Sequence, residues 1–161
     1  MFLAHGTRRQ HIASVTEHPT QEWTTQQARN PTAQFDTHSF RFLLRDQDGK
    51  HSSTFDAVFQ TDETDISTTA PQASRMNAHC ERVIRTLYTE LCDHVLIVNE
   101  THARQVLAEY QRHYNQHRPH QARQQRPPES HRQPDTALDD ARTLLRTRIL
   151  NRLINEYRYA A

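Results

Sequence analysis

The sequence predicts an α/β fold in one domain, or in one domain with a tail, and three observations carry that expectation. Strand-like and helix-like segments alternate over the first two-thirds of the chain. The length of 161 residues suits a single domain. A stretch rich in Gln, Arg, His and Pro then separates those segments from a short apolar end.

The elements follow in order. "MFLAHGTRRQHIASVT" reads as a strand end, a turn at Gly6, and a strand near 9–16 carrying Ile12 and Val15. "HPTQEWTTQQARNP" reads as a helix with Thr20 as its cap and Pro31 as its stop. "FRFLLRD" (40–46) is the clearest strand, and "STFDAVFQ" (53–60) is a short helix with Phe55, Val58 and Phe59 on one side. "TDIST" (64–68) is a weak strand, followed by a loop, "TAPQAS". Cys80, Ile84, Leu87, Tyr88, Leu91 and Val95 recur at helical spacing over 76–94. Ala103, Val106, Leu107, Tyr110 and Tyr114 do the same over 100–117, and Pro119 ends that helix. Residues 118–136 read as irregular, and "LLRTRILNRLINEYRYAA" is apolar enough to pack as a helix or as strands. No internal repeat is present.

Composition sets limits on the rest. Only 34% of residues are hydrophobic and the mean hydropathy is −0.96, so the core is lean. Gly6 and Gly49 are the only glycines. Residues 1–100 carry a net charge of −4 and residues 101–161 a net +5, so the C-terminal third can attract phosphate, although by itself a solvated, charged surface is the simpler explanation. Cys80 and Cys92 fall in one predicted helix roughly 18 Å apart and cannot bridge each other there. A reduced, cytoplasmic protein is expected. No signal peptide and no apolar run of membrane length is seen, so no membrane partner is expected.

The chemistry centres on carboxylates. The strand 40–46 ends on Asp46, with Asp48 two residues on; this is either a plain turn or a metal ligand at a strand end. Glu81 follows 35 positions later, near the start of a helix. Hard divalent ions take oxygen ligands of this type, and two-metal sites use them for in-line displacement at phosphorus. Arg82 and Arg85 lie beside Glu81, where they can hold a phosphodiester backbone. His113, His117 and His120 offer a competing zinc reading through their i, i+4 spacing, but no third ligand or nearby base is evident.

Several ordered motifs resemble the integrase core of bacterial insertion-sequence transposases, the retroviral-integrase-like DDE group, in an actinobacterial branch. "HGTRR…VTEHPTQEWTTQQARN" resembles that family's early hairpin and first helix. "FRFLLRDQDGK" resembles the segment holding its second catalytic Asp, and "SRMNAHCERVIRTLYTELCDHVLI" the segment holding its catalytic Glu. "EYQRHYNQHRPHQARQQRPP" resembles the segment that closes the core, and "ILNRLINEYRYAA" the usual C-terminus.

The resemblance implies a ribonuclease-H-like five-stranded mixed sheet with flanking helices. It implies Asp46 and Glu81 as catalytic metal ligands for Mg²⁺ (or Mn²⁺), and DNA strand transfer by phosphoryl transfer. Asp48 is then a turn or supporting group. Lys50, Asn77, Arg82 and Arg85 are the residues expected to touch DNA, with helix capping as the alternative for Asn77. The partners implied are transposon ends and target DNA, with a homo-oligomer or a full-length transposase as protein partner.

The same resemblance implies a first catalytic Asp on a strand upstream of the Gly6 hairpin, and no Asp or Glu precedes Glu17. Glu17 and Asp36 lie beyond the matching position. The sequence therefore reads as a truncated integrase catalytic core over 1–128, lacking the first, central strand, with a basic C-terminal tail over 129–161. His51, Ala70, Ser74, Met76, Cys80 and the short "PTAQ" segment depart from the family pattern. They agree with a remnant that is inactive alone, or with a start placed too far downstream. A non-catalytic DNA-binding or assembly-inhibiting fragment is the alternative. Without the central strand, the strand at 40–46 lacks a neighbour, and the isolated chain is expected to be poorly stable or to aggregate unless a partner strand is supplied.

Overall fold

A computed structural model describes residues 1–30, 40–70, 77–130 and 143–160. Asp36, Met76, all of the "PTAQ" segment with Pro31, most of "TAPQAS" with Ser74, and the end of the irregular stretch lie outside the described residues. The chain forms two compact units: Ala13–Thr86, and Met1–Ile12 together with Leu87–Ala161.

The Ala13–Thr86 unit is built on a strand–helix–strand repeat. Helix α1 (Gln21–Arg29) starts where expected, with the Thr20 hydroxyl accepting the Trp23 N–H. Strand β3 (Phe42–Arg45) pairs in parallel with β4 (Asp65–Thr68), Phe42 opposite Asp65 and Arg45 opposite Thr68. Helix α2 (Ser53–Gln60) connects them and is capped by Ser52. A parallel pair needs such a crossover. Phe55 and Phe59, one helical turn apart, are buried with ring centroids 5.3 Å apart. Val58 is only half-buried. Helix α1 packs on α2 and α2 on β4, with Thr25 and Ala28 buried.

The other unit joins the N-terminus to the C-terminal half. Strands β1 (Phe2–Leu3) and β2 (Gln10–His11) form a short antiparallel ladder. The expected strand over 9–16 is thus two residues long. Its partners explain the early end. The Ile12 N–H is taken by the Gln111 side chain rather than by a strand, and Val15 lies outside any ladder. The turn depends on Arg8, at φ 63°, and not on Gly6, whose φ is not positive.

Helix α4 (Glu100–Gln116) begins at Asn99, whose side chain accepts the His102 N–H at 2.8 Å. It buries Ala103, Val106, Tyr110 and Tyr114, as its spacing requires. Asn115 is buried too: its amide donates to the Gln10 carbonyl at 2.9 Å and accepts the Gln10 N–H at 3.0 Å. Beyond Pro119 the described chain is a single 3₁₀ turn, Gln121–Arg123, and an isolated bridge, His120 to Arg126. The apolar end forms strands: β5 (Leu144–Ile149) and β6 (Ile154–Tyr159) make an antiparallel hairpin. Its turn holds Leu150, Asn151 and Arg152 at φ 50°, 52° and 74°, a conformation unfavourable for residues with a Cβ. Burial of Leu150 and a bond from its N–H to Glu109 at 3.1 Å offset that strain.

Two expectations are corrected. The predicted 76–94 helix is α3 (Ala78–Leu87) followed by one π turn, Tyr88–Cys92. Val83 and Leu91 are its buried residues, while Ile84 and Tyr88, placed in the apolar stripe, are 44% and 56% exposed. The stripe fails because the boundary between units falls at Thr86/Leu87, so Val83 serves one core and Leu91 the other. A π turn also breaks the 3.6-residue phase. Secondly, the fold is mixed α/β, but the described strands form three separate two-stranded ladders rather than one five-stranded sheet. Among the described residues no strand bonds to both β1–β2 and β3–β4.

A half-buried polar triangle fixes the start of the C-terminal half. The Glu90 carboxylate accepts from Tyr110 Oη at 2.8 Å and from Arg118 Nη2 at 2.7 Å. Burial opposes ionisation of Glu90, but the Arg118 and Tyr110 bonds outweigh it and hold the carboxyl below its usual range.

Two predictions follow from this unit. Asn115→Ala leaves two buried peptide groups without partners and should cost about 2–5 kcal/mol, read from urea unfolding. His120 is pushed down to about 4, first by burial and then by the charges of Arg118 and Arg123. The unfolded chain then takes up this proton before the folded one, so stability rises with pH between about 4 and 6.5 and falls on acidification through that window. His120→Gln should flatten the melting temperature against pH between those limits; an unchanged profile would assign the acid sensitivity elsewhere.

Candidate functional site

The two expected carboxylates both fall in the Ala13–Thr86 unit. Strand β3 ends at Arg45, so Asp46 is the first residue beyond it. Its position is set by Arg45, which does two things at once. The guanidinium binds Asp56 on α2 with two bonds, Nε to Oδ1 at 2.8 Å and Nη2 to Oδ2 at 2.7 Å. Its remaining nitrogen donates to the Asp46 carbonyl at 2.9 Å. The bidentate bond to Asp56 holds the Arg45 charge above its ordinary pKa. Strand, helix and the Asp46 backbone are thereby locked together.

The side chain of Asp46 points into solvent, 57% exposed. His51 Nδ1 lies 3.0 Å from its Oδ1. The His51 ring also rests on Phe55, with centroids 4.8 Å apart, which anchors it to the core. Asp48 is a turn residue: it accepts the Lys50 N–H at 3.0 Å and pairs with Lys50 Nζ at 3.4 Å. That N–H bond comes first in holding the Asp48 carboxyl below its usual range, and the Lys50 charge adds to it. Gln21 of α1 closes the loop by donating to the Gly49 carbonyl at 2.8 Å.

Glu81 stands exposed in the first turn of α3, with Arg82 and Arg85 exposed behind it. Glu81 adjoins Cys80 on α3, and Asp46 belongs to the same Ala13–Thr86 unit. Burial is the main cause of the raised pKa of Cys80, and the charges of Asp46 and Glu81 push it further up.

Asn77 does not cap α3. It already lies in a helical turn preceding Ala78, and its amide oxygen is buried without a hydrogen-bond partner. Lys50 is engaged by Asp48, so a DNA phosphate would have to replace that partner. The histidines resolve differently from the zinc reading. His113 and His117 face Glu156 of β6, at 3.0 and 3.5 Å, while His120 packs edge-on against Tyr114.

Among the described residues no group of three His, Cys, Asp or Glu is placed to hold a metal ion. Asp46 and Glu81 are the right donor type for a hard divalent ion. Two carboxylates, one of them already faced by an imidazole, fall short of a complete site. A cavity of about 610 Å³ beside α4 and the β5–β6 turn, lined by Val106, Glu109 and Leu150, contains none of these residues.

The composition of the site can be set against known proteins. The family model described as "Integrase core domain" matches residues 62–128. No curated protein and no solved structure matches the chain. The matched span runs from the turn after α2 through β4, α3, the π turn and α4. It includes Asn77, Glu81, Arg82 and Arg85; Asp46 and Lys50 precede it. Over residues 62–128, then, the chain is similar to the integrase core domain family. No described helix is long and apolar enough to cross a membrane.

Sequence reasoning did not find the Arg45–Asp56 pair. The available signal was an Arg on a strand, 11 positions before an Asp in the next helix's first turn. Asp56→Ala should lower stability by about 1.5–3 kcal/mol, because a largely buried guanidinium loses its charged partner. Amide exchange of residues 46–51 should accelerate in the same variant. Destabilisation without faster local exchange would remove Arg45 as the support of the Asp46 loop.

Proposed function

We propose that this chain is the DNA-engaging part of an integrase-core transposase of the bacterial insertion-sequence type, and that by itself it binds DNA without carrying out strand transfer. The observation that carries this reading is the match of residues 62–128 to the integrase core family, with Glu81, Arg82 and Arg85 exposed together on α3 inside that span. A carboxylate beside exposed guanidinium groups suits a phosphodiester: the arginines bind the backbone and the acid is of the donor type a divalent cation takes.

Catalysis is a different matter. Phosphoryl transfer of this class uses carboxylate-held metal ions, which supply the nucleophile and the stabilisation of the leaving oxygen. The described residues bring two acids and no third. His51 Nδ1 lies 3.0 Å from one of them, Asp46. We therefore assign this chain binding and positioning, and assign catalysis to an assembly that supplies the missing carboxylate.

A second reading, assembly with a full-length transposase, is favoured by one observation. Among the described residues β3 and β4 have only each other as ladder partners. A two-stranded parallel pair is marginal alone, and a strand from another chain would complete it.

The test is duplex-DNA binding by fluorescence anisotropy together with a strand-transfer assay in Mg²⁺ or Mn²⁺. The expected outcome is salt-dependent binding, weakened roughly tenfold by Arg82→Ala with Arg85→Ala, and no transfer product. A product that disappears with Asp46→Asn or Glu81→Gln would overturn the non-catalytic assignment. Failure to bind duplex at low salt would remove the reading altogether.

A further inference from the structure

The C-terminal hairpin sorts its side chains by face. Every second residue of a strand lies on the same side, and the register sets Leu144 opposite Tyr159, Arg146 opposite Tyr157 and Arg148 opposite Asn155. All six of these residues are exposed. The opposite side holds Ile149, which is buried, Ile154 and Glu156, which are half-buried, and Leu145, Thr147 and Arg158, which are exposed. That side is anchored to α4: Glu156 faces His113 and His117 at 3.0 and 3.5 Å. Glu156 is also the only acid between Leu144 and Tyr159. The hairpin thus turns its one negative charge toward α4. It leaves two guanidinium groups, two phenols and an amide on the outer face. Among the described residues neither Arg146 nor Arg148 has a salt-bridge partner within 4.0 Å.

We propose that this outer face is a second DNA-contact surface and that its occupant is double-stranded DNA. The charge is complementary, since the face carries cations and no acid. Arg146 and Arg148 lie about 6.8 Å apart along one strand and project to the same side. Guanidinium forks match phosphate oxygens, and the neighbouring tyrosine hydroxyls can donate to the same backbone. Shape agrees as well: two strands about 4.8 Å apart form a ribbon that a major groove about 12 Å wide admits. The inference rests on the DNA reading above and extends it to residues beyond the integrase core match, which ends at 128.

The experiment uses the full chain and a fluorescein-labelled duplex of mixed sequence, titrated between about 50 and 200 mM salt. Arg146→Glu with Arg148→Glu should lower affinity at least about tenfold and reduce the slope of log K against log salt by about 2. The paired change to Lys, with unchanged circular dichroism, should keep the slope. Equal affinity and slope in the Glu pair would overturn the inference. If Arg82→Ala with Arg85→Ala weakens binding while the Glu pair does not, the DNA reading stands and the hairpin surface falls. If the wild-type chain does not bind duplex, both fall. A preference for a single-stranded oligonucleotide that is lost in Tyr157→Ala with Tyr159→Ala overturns the duplex as occupant. A dimer in sedimentation velocity that the Glu pair dissociates without changing DNA binding assigns the face to a second copy instead.

Discussion

The side-chain amide of Asn115 donates to the Gln10 carbonyl and accepts the Gln10 N–H, and much of the unit around α4 depends on that exchange. Gln10 is 1% exposed, so its peptide groups have no access to water. A buried peptide must be paired, normally by a neighbouring strand. Here an amide at the end of α4 takes the place of a strand, which fixes the helix against the N-terminal ladder. The helix in turn carries Tyr110 into the bond with Glu90, and His113 into contact with Glu156 of the hairpin. One helix therefore organises the N-terminal ladder, the π turn and the terminal hairpin through polar contacts. That suits a chain with too few apolar residues to do the same by burial alone. The arrangement is imperfect: both side-chain amide atoms of Gln10 are buried without partners, a cost that the surrounding contacts must exceed.

The Ala13–Thr86 unit solves the same problem with charge. Arg45 sits at the C-terminal end of a strand that has one ladder partner among the described residues. Its two bonds to Asp56 tie that strand to α2, and its third reaches the Asp46 carbonyl. The geometry of the candidate carboxylate is thus set by a neighbouring cation bound to its main chain. This leaves the Asp46 carboxylate exposed and available, as a ligand position requires.

Much of this was legible in the sequence, for reasons that can be named. Helices α1 and α2 were readable because Thr20 as a cap, and Phe55 and Phe59 one turn apart, are local signals: caps and one-turn spacings act within a few residues. Helix α4 was readable because its apolar residues all face one core. The stripe over 76–94 misled because the sequence cannot say that Val83 and Leu91 serve different cores. Strand lengths were overestimated near Ile12, since the loss of ladder bonding there depends on Gln111, 99 positions away. The terminal segment stayed ambiguous between helix and strands because its apolar residues are mixed with arginines, and only the anchoring of Glu156 and Leu150 to α4 selects a hairpin. For the site, Asp46 and Glu81 came from motif order. The engagement of Lys50 by Asp48 and the uncapped position of Asn77 show only in the folded structure.

His51 joins the two halves of the functional argument. It stands where the family that the sequence resembles carries Phe. The structure shows that it keeps part of the aromatic role, since its ring packs on Phe55 at 4.8 Å. It adds something a phenyl ring cannot: a nitrogen 3.0 Å from the Asp46 carboxylate. The approach is close without being a hydrogen bond, since Nδ1 is buried with no hydrogen-bond partner, and the Asp46 carboxylate stays 57% exposed. The substitution therefore keeps the packing against α2 and sets a ring nitrogen beside an acid that remains open to solvent.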